Sequence, residues 1–533
     1  MKFSKARRIV HSLRNYLNPL RVWVTNKYTL FLLIILFTFV IRWQHLNRPI
    51  ADRHAFRQTI TYSIIQNYLK DDSNFFNSKT YFSLPDANVE RLFLGELPLY
   101  QYFLSLIFKV TGENIPIGRL YSISITAITA TGIFVLGKIL YNKTVGFIAA
   151  ILFNLFPSSI FWGSAFSPEV LAMALSTWGV TFFLIYKNTS LLISALLLGL
   201  ALAIKPYFIA LLPGLWYWKS KFGKVIPQKQ LLLFCTILIT PLIIWGVRRG
   251  LVPPELRQPP SLPGNISQYL FYNQSPFAYL TETKWAEVFL KDRVMGELLT
   301  PLGGLLLLIF PFIENWQNHK HKVILVWLVS LIITFLLFSG ANFDHEYYQL
   351  ILLPIASLCI ARVINTFLSF LKNLPLSHLV TWTSIVMSTV LTVRFLGVVP
   401  MQSALDNYFY QEVKYDLFSD DINQLKILVP KNSTFLYIDY VSNAYDPVLI
   451  NHLGIKGWFG LVDDICSQEN VNDVIEFFNQ YPIQYVLYPS ETYRVNGKDC
   501  NRTTVSQYFA ERYPKIYNGN FLQLFALKPV SPD

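Results

Sequence analysis

Residues 120–140 read LYSISITAITATGIFVLGKIL, and residues 350–367 read LILLPIASLCIARVINTF. Each run is long and apolar enough to cross the roughly 30 Å hydrocarbon layer of a bilayer as a helix. Similar runs at 30–41 and 323–338 bring the number of such stretches between residues 28 and 396 to eight or more, the signature of a polytopic α-helical membrane protein. Composition agrees. Of 533 residues, 53% are hydrophobic and only 14% charged, against about a quarter charged in soluble domains. The net charge of +13 does not point to nucleic acid, because the basic residues cluster at the ends of apolar runs, where they set orientation.

Charge asymmetry predicts the topology. Residues 1–27 carry Lys2, Lys5, Arg7, Arg8, Arg14, Arg21 and Lys27, with no cleavage site after the apolar run that follows, and are expected to stay cytoplasmic. Span 28–43 then leads outward to a polar first outer loop, 44–118. Within that loop, 54–70 places Phe56, Ile60, Ile64 and Tyr68 on one helical face, as an interfacial helix does. The 14-residue run 97–110 is too short to span and is expected to lie along the membrane. Further spans are expected at 119–140, 144–162, 168–186, 190–204, 205–218, 230–247, 297–312, 323–338, 347–370 and 379–396, about eleven in all. A Pro/Gly/Gln-rich outer loop is expected at 248–296. Lys138, Lys143, Lys219, Lys221, Lys320 and Lys322 fall on the inner side, and the odd count leaves the C-terminus outside.

After residue 400 the pattern changes. Strands are expected at 435–439, 485–488 and 521–527, and an amphipathic helix at 471–481, so 400–533 reads as a small extracytoplasmic α/β domain. Cys235 and Cys359 lie within apolar runs and read as small buried hydrophobes. Cys466 and Cys500 lie in the outer domain, where oxidation permits a disulfide; two unpaired core thiols are the alternative.

The polar residues of the outer side gather at run ends: Asp52, Arg53, His54, Arg57 and Gln58 after the first span, then Glu96, Arg119, Glu169, Lys205 and the segment Asp344-His345-Glu346-Tyr347-Tyr348. Ionisable groups at membrane depth are costly and point to function. An acid in the first outer loop, Glu96-x-Pro98-Leu99-Tyr100, Gly118-Arg119-Leu120 opening a span, Ile204-Lys205-Pro206, and His345-Glu346-Tyr347-Tyr348-Gln349-Leu350 followed by Pro354 resemble the GT-C membrane glycosyltransferases. The branch most similar is glycosyltransferase family 39, with the protein O-mannosyltransferases and the aminoarabinose transferase that modifies lipid A. The resemblance covers about residues 28–395.

It implies a GT-C fold and an inverting transfer of sugar from a polyprenyl-phosphate carrier to a lipid, glycan or protein acceptor on the outer face of the plasma (inner) membrane. Such chemistry needs a carboxylate to take the acceptor proton and cations to stabilise the leaving phosphate. Asp52 matches the family's first-loop acid and is the expected base; a loop aspartate paired with Arg53 or Arg57 is the plain alternative. Arg57 and His54 are expected to contact sugar or phosphate, Arg119 and Lys205 the phosphate, and Glu96 and Glu169 the substrate. His345 stands where some relatives carry arginine, and Tyr347 and Tyr348 are either site residues or an interface belt. No cofactor is implied; the pair Asp71-Asp72 reads as an exposed charge pair, with a divalent-ion site as the alternative. An O-antigen ligase or polymerase, a secondary transporter and a non-catalytic scaffold remain as other readings. Against the transporter, the chain shows neither internal repeats nor mid-membrane acids.

Overall fold

The computed structural model describes residues 27–70, 73–80, 92–185, 188–222, 227–253, 256–258, 287–313, 317–339, 342, 345–372, 379–410, 415–430, 433–439, 448–453, 456–461, 483–489 and 509–527. Cys466, Cys500, the Asp71-Asp72 pair and the helix expected at 471–481 lie outside the described residues.

Helices dominate. Seven described helices are long and apolar enough to cross a membrane: Tyr28–His45, Ile115–Leu140, Pro168–Ile185, Gln228–Leu251, His319–Leu337, Leu352–Leu371 and Ser384–Tyr408. An eighth crossing is possible only as a broken pair, Glu287–Leu298 with Thr300–Phe312, bent by 111°. Shorter apolar helices at Lys143–Leu155 and Thr189–Ile204 join the bundle. Of the about eleven spans expected, the described residues thus hold seven as long apolar helices and others as shorter or broken ones. Residues 205–218 form a 3₁₀ turn, Pro206–Leu211, and then a separate helix, Leu212–Phe222. Part of the stretch expected as a loop is helical: Glu287–Leu298 is a wide π-helix, and Thr300 turns the chain at φ 67°. The last span also runs beyond residue 400 to Tyr408.

Local chemistry sets the boundaries. Asn142 opens Lys143–Leu155 by accepting the amide of Val145 at 2.9 Å, a side-chain N-cap. Leu99–Thr111, the run expected to lie along the membrane, closes at Gly112 with φ 81°, a backbone conformation that costs glycine little. Helices Ile115–Leu140 and Lys143–Leu155 approach through small residues. A Cβ on Gly146 would stand 2.3 Å from the carbonyl oxygen of Phe134, so only glycine permits this contact. One large apolar core runs through the bundle, with Phe134, Phe153, Trp162, Trp327 and Leu353 fully buried. Cys359 is buried as expected, but Cys235 is exposed on the outside of Gln228–Leu251, because that helix presents most of its apolar surface outward rather than to the core.

The C-terminal region forms a five-stranded mixed sheet in the order β4-β3-β5-β7-β6. Its strands are β3 (Thr434–Asp439), β4 (Lys456–Leu461), β5 (Tyr485–Pro489), β6 (Lys515–Asn518) and β7 (Leu522–Ala526). The two remaining strands, β1 (Leu92–Phe93) and β2 (Arg257–Gln258), make a short parallel pair elsewhere. The three strands expected from the sequence are β3, β5 and β7; β4 and β6 carry weaker patterns. Asp421, on the helix Tyr415–Leu428, ties the domain together by accepting the amides of Phe521 and Leu522 at 2.8 Å each.

The helix Ala55–Lys70 corrects one expectation. Ile60, Ile64 and Tyr68 do form an apolar face, but it packs on Ile422, Leu425, Phe435, Tyr485 and Leu522 of the C-terminal domain instead of on a membrane surface.

Candidate active site

The site is assembled at one end of the bundle from helix ends. Arg57 sits in the first turns of Ala55–Lys70, and Glu96 just precedes Leu99–Thr111. Glu169 opens Pro168–Ile185, and Lys205 follows Ile204 at the end of Asn188–Ile204. All four side chains are buried, and they meet in one cluster. Arg57 reaches Glu96 at 2.5 Å and Glu169 at 3.2 Å, while Lys205 lies 3.0 Å from Glu96 and 2.7 Å from Glu169. Gln101 donates to Glu96 at 2.9 Å and Ser167 to Glu169 at 2.6 Å. Two cations thus balance two carboxylates out of water, an arrangement that holds only when each charge keeps its partners. Glu96 is more than a dipole-favoured helix-start residue, since it bridges both cations.

Asp52 lies beside this cluster's helix, buried at 1% exposure. It pairs with Arg48 at 3.5 Å and with Arg119 at 3.8 Å. Arg119 is itself engaged by three backbone carbonyls, those of Arg48, Pro49 and Ser164, at 3.0–3.1 Å. The two residues expected to share a phosphate therefore fall in different clusters: Lys205 in the quartet, Arg119 beneath the Asp52 loop.

A second ionic cluster was only partly legible in the sequence. Glu346, fully buried, accepts His54 Nε2 at 2.7 Å and lies 3.8 Å from Arg53 and 3.5 Å from Arg293. Glu297 bridges Arg53 at 2.6 Å and Arg293 at 2.8 Å. Burial opposes ionisation of Glu346, but His54, Arg53 and Arg293 outweigh it and hold its carboxyl well below the ordinary range. His345 moves the other way: burial and the neighbouring cations lower it to about 3, so it is neutral at pH 7 and does not offer a phosphate the positive charge of an arginine. Glu346 stood in view in the His-Glu-Tyr-Tyr motif. Arg293 fell within the stretch expected as a loop, and Glu297, at the head of the span expected at 297–312, was not singled out as a site residue.

Backbone and aromatic packing fix the geometry. His54 has φ 53°, a left-handed conformation that costs a non-glycine residue on the order of 1–3 kcal/mol and that clusters at functional sites. Its ring packs among Trp162, His345 and Tyr347, with centroids 5.6–5.9 Å apart. Tyr347 is buried against Trp162 rather than placed in an interface belt, and Tyr348 lies 5.6 Å from Lys205. Below them Arg42, fully buried at the end of the first span, donates to Asn154 Oδ1 and to the Ser159 carbonyl at 2.8 Å each. It thereby pins the short helix Pro157–Trp162 that carries Trp162. Among the described residues there is no group of three or more His, Cys, Asp or Glu side chains with metal-binding geometry.

Comparison with known proteins agrees with this architecture. Residues 96–245 match the family described as Dolichyl-phosphate-mannose-protein mannosyltransferase. ArnT from Cupriavidus metallidurans, solved bound to undecaprenyl phosphate, superposes with a TM-score of 0.59 at 10% identity, over 94% of this chain and 99% of that one. The Archaeoglobus fulgidus oligosaccharyltransferase AglB, solved with an inhibitory peptide and a dolichol-phosphate, gives a TM-score of 0.57 at 10% identity, over 88% of this chain and 70% of that one. The same enzyme in its apo form gives 0.57 at 11% identity. No curated protein matches the chain by sequence. The resemblance to the GT-C membrane glycosyltransferases thus holds in a family match that spans three of the site's four ion-pair residues and Arg119, and in the fold of nearly the whole chain: this is a multi-pass membrane protein of GT-C glycosyltransferase architecture.

Proposed function

We propose that the chain is an inverting glycosyltransferase that takes a sugar from a polyprenyl-phosphate carrier and passes it to an acceptor hydroxyl on the extracytoplasmic face. The observation that carries the reading is the burial of Asp52 and the Arg57–Glu96–Glu169–Lys205 quartet at one end of a bundle with the fold of ArnT, which was solved bound to undecaprenyl phosphate. A lipid-linked donor keeps its tail in the bilayer and brings its phosphate to the depth of the helix ends, where these groups lie.

In the reaction, an acceptor oxygen attacks C1 of the sugar as its proton passes to a carboxylate of Asp52. The bond from C1 to the phosphate oxygen breaks, the electron pair leaves with polyprenyl phosphate, and the anomeric centre inverts. Lys205 and Arg57 supply positive charge toward the leaving phosphate, and Arg48 and Arg119 hold the Asp52 carboxylate in place. His54, Tyr347 and Trp162 form an aromatic wall suited to the face of a sugar ring. Orientation follows from charge. Lys138, Lys143 and Lys320 lie at the bundle end opposite the site, where Lys320 reaches the Ile139 carbonyl at 2.9 Å, and the positive end stays cytoplasmic.

The test is a panel of polyprenyl-phosphate sugars, carrying mannose, glucose or aminoarabinose, offered to the purified protein in proteoliposomes. Release of polyprenyl phosphate from at least one supports the reading. Release from none, with folded protein, argues for a scaffold; movement of the intact carrier between leaflets argues for a transporter.

A further inference from the structure

The loop that carries Asp52 is gripped by residues from the far end of the chain. Ile50, Ala51 and Asp52 are all buried. The amide of Arg53 donates to the Tyr408 carbonyl at 3.3 Å. Arg48 donates to the Phe409 carbonyl at 2.7 Å and lies 4.6 Å over the Phe409 ring. His45 stacks on the same ring at 3.7 Å and 10°. These contacts come from the end of the last span. One more comes from the C-terminal domain itself: His452, on the helix Val448–Leu453, donates its Nε2–H to the Ile50 carbonyl at 3.0 Å, across 402 positions of sequence.

We infer that the C-terminal domain is a positioning part of the active site, with His452 holding the Ile50 carbonyl so that Asp52 is presented in a fixed place. The inference rests on the reading of Asp52 as base. A general base must stand within about 2.6–3.2 Å of the proton it takes, and a misplacement of about 1 Å costs roughly 10²-fold. A carbonyl two residues before the carboxylate is an effective point to hold, because the intervening peptides leave few soft dihedrals. The docking of Ile60, Ile64 and Tyr68 on the same domain keeps His452 in reach. Burial lowers His452 to about 4, so over the physiological range it is neutral and its Nε2 proton serves the one carbonyl. His452 touches no reacting atom; it acts through the loop.

The full-length protein in lipid nanodiscs tests this with two readouts. Hydrogen exchange over residues 45–54 reports the tether directly, and turnover of polyprenyl-phosphate mannose, or of whichever panel donor the wild type uses, reports its consequence. His452→Phe keeps an aromatic ring and removes the donor; His452→Gln places an N–H near the same point. Expected are exchange faster by about tenfold or more in His452→Phe, kcat lower by about tenfold with KM for the lipid donor within about twofold, and recovery of most of both in His452→Gln. Unchanged exchange and kcat in His452→Phe overturns the inference, and so does a His452→Gln that behaves like His452→Phe, which would leave packing alone as the residue's role. Should His452→Phe fail to insert, His452→Ala against His452→Gln makes the same comparison. Asp52→Asn is run alongside. Wild-type turnover there sinks the base reading while exchange still judges the tether; a dead Asp52→Asn with a normal His452→Phe sinks the tether alone.

Discussion

Asp52 is surrounded as a working carboxylate is: buried, flanked by Arg48 and Arg119, and on a loop whose backbone is held. Asp52→Asn preserves shape and removes the basic oxygen, and turnover is expected to fall by roughly 10²-fold or more, with protein yield and thermal midpoint near wild type. The quartet behaves differently. Lys205→Met leaves Glu96 and Glu169 with one cation between them, and the expected loss is about 3–5 kcal/mol of stability. The double variant Lys205→Met/Glu169→Gln should recover part of it, because it removes a charge of each sign; a thermal-shift cycle in detergent measures the coupling. Acid should loosen the second cluster. His345 is lowered to about 3 and Glu346 lies below its ordinary value. The unfolded chain therefore binds protons, at His345 from about pH 6.5 down, that the folded one refuses, and stability contributed above those values drains away as pH falls. The thermal midpoint is expected to decline between pH 6.5 and 3, and His345→Gln should flatten the upper part of that decline. The acids and cations of the quartet were legible because each interrupts or abuts an apolar run. Their pairing was not, since Arg57, Glu96, Glu169 and Lys205 span 149 positions and no local pattern links them. Arg293 was missed for a further reason: the π-helix that carries it is of mixed composition and has no periodic signal to read.

At the level of elements, periodicity announced faces but not partners. The stripe Ile60–Ile64–Tyr68 was correctly read as an apolar helical face, yet a sheet covers it rather than a bilayer; a stripe specifies that something apolar must meet it and no more. Span boundaries were blurred for a related reason. Length and hydropathy do not distinguish a straight crossing from a chain that turns within the same residues. Pro206 and the left-handed Thr300 break segments that a hydropathy window joins. Where helices do meet closely the structure makes a sharp demand. Gly146→Leu would drive a side chain into the backbone of Phe134, so this variant is expected to lose at least about 3 kcal/mol, or to fail to accumulate, whereas Gly112→Ala, with open space around it, should cost about 1 kcal/mol through its backbone angle alone. Denaturation in mild detergent, followed by intrinsic tryptophan fluorescence, separates the two.

Across the whole molecule, the bundle gathers its buried ionic clusters at helix ends, and the C-terminal region packs beside them through the helix Ala55–Lys70 and His452. The fold class and the two-part organisation were readable from composition and from the change of pattern near residue 400, because both are properties of long stretches. The closeness of the two parts was not, since it rests on a few contacts hundreds of positions apart. The central claim is that this assembly transfers a lipid-linked sugar with Asp52 as the base. It is tested most directly by measuring polyprenyl phosphate released from the panel donors by wild-type and Asp52→Asn protein in proteoliposomes. The account predicts release by the wild type and a loss of about 10²-fold in the variant, with donor binding retained. Equal release by the two proteins would contradict it.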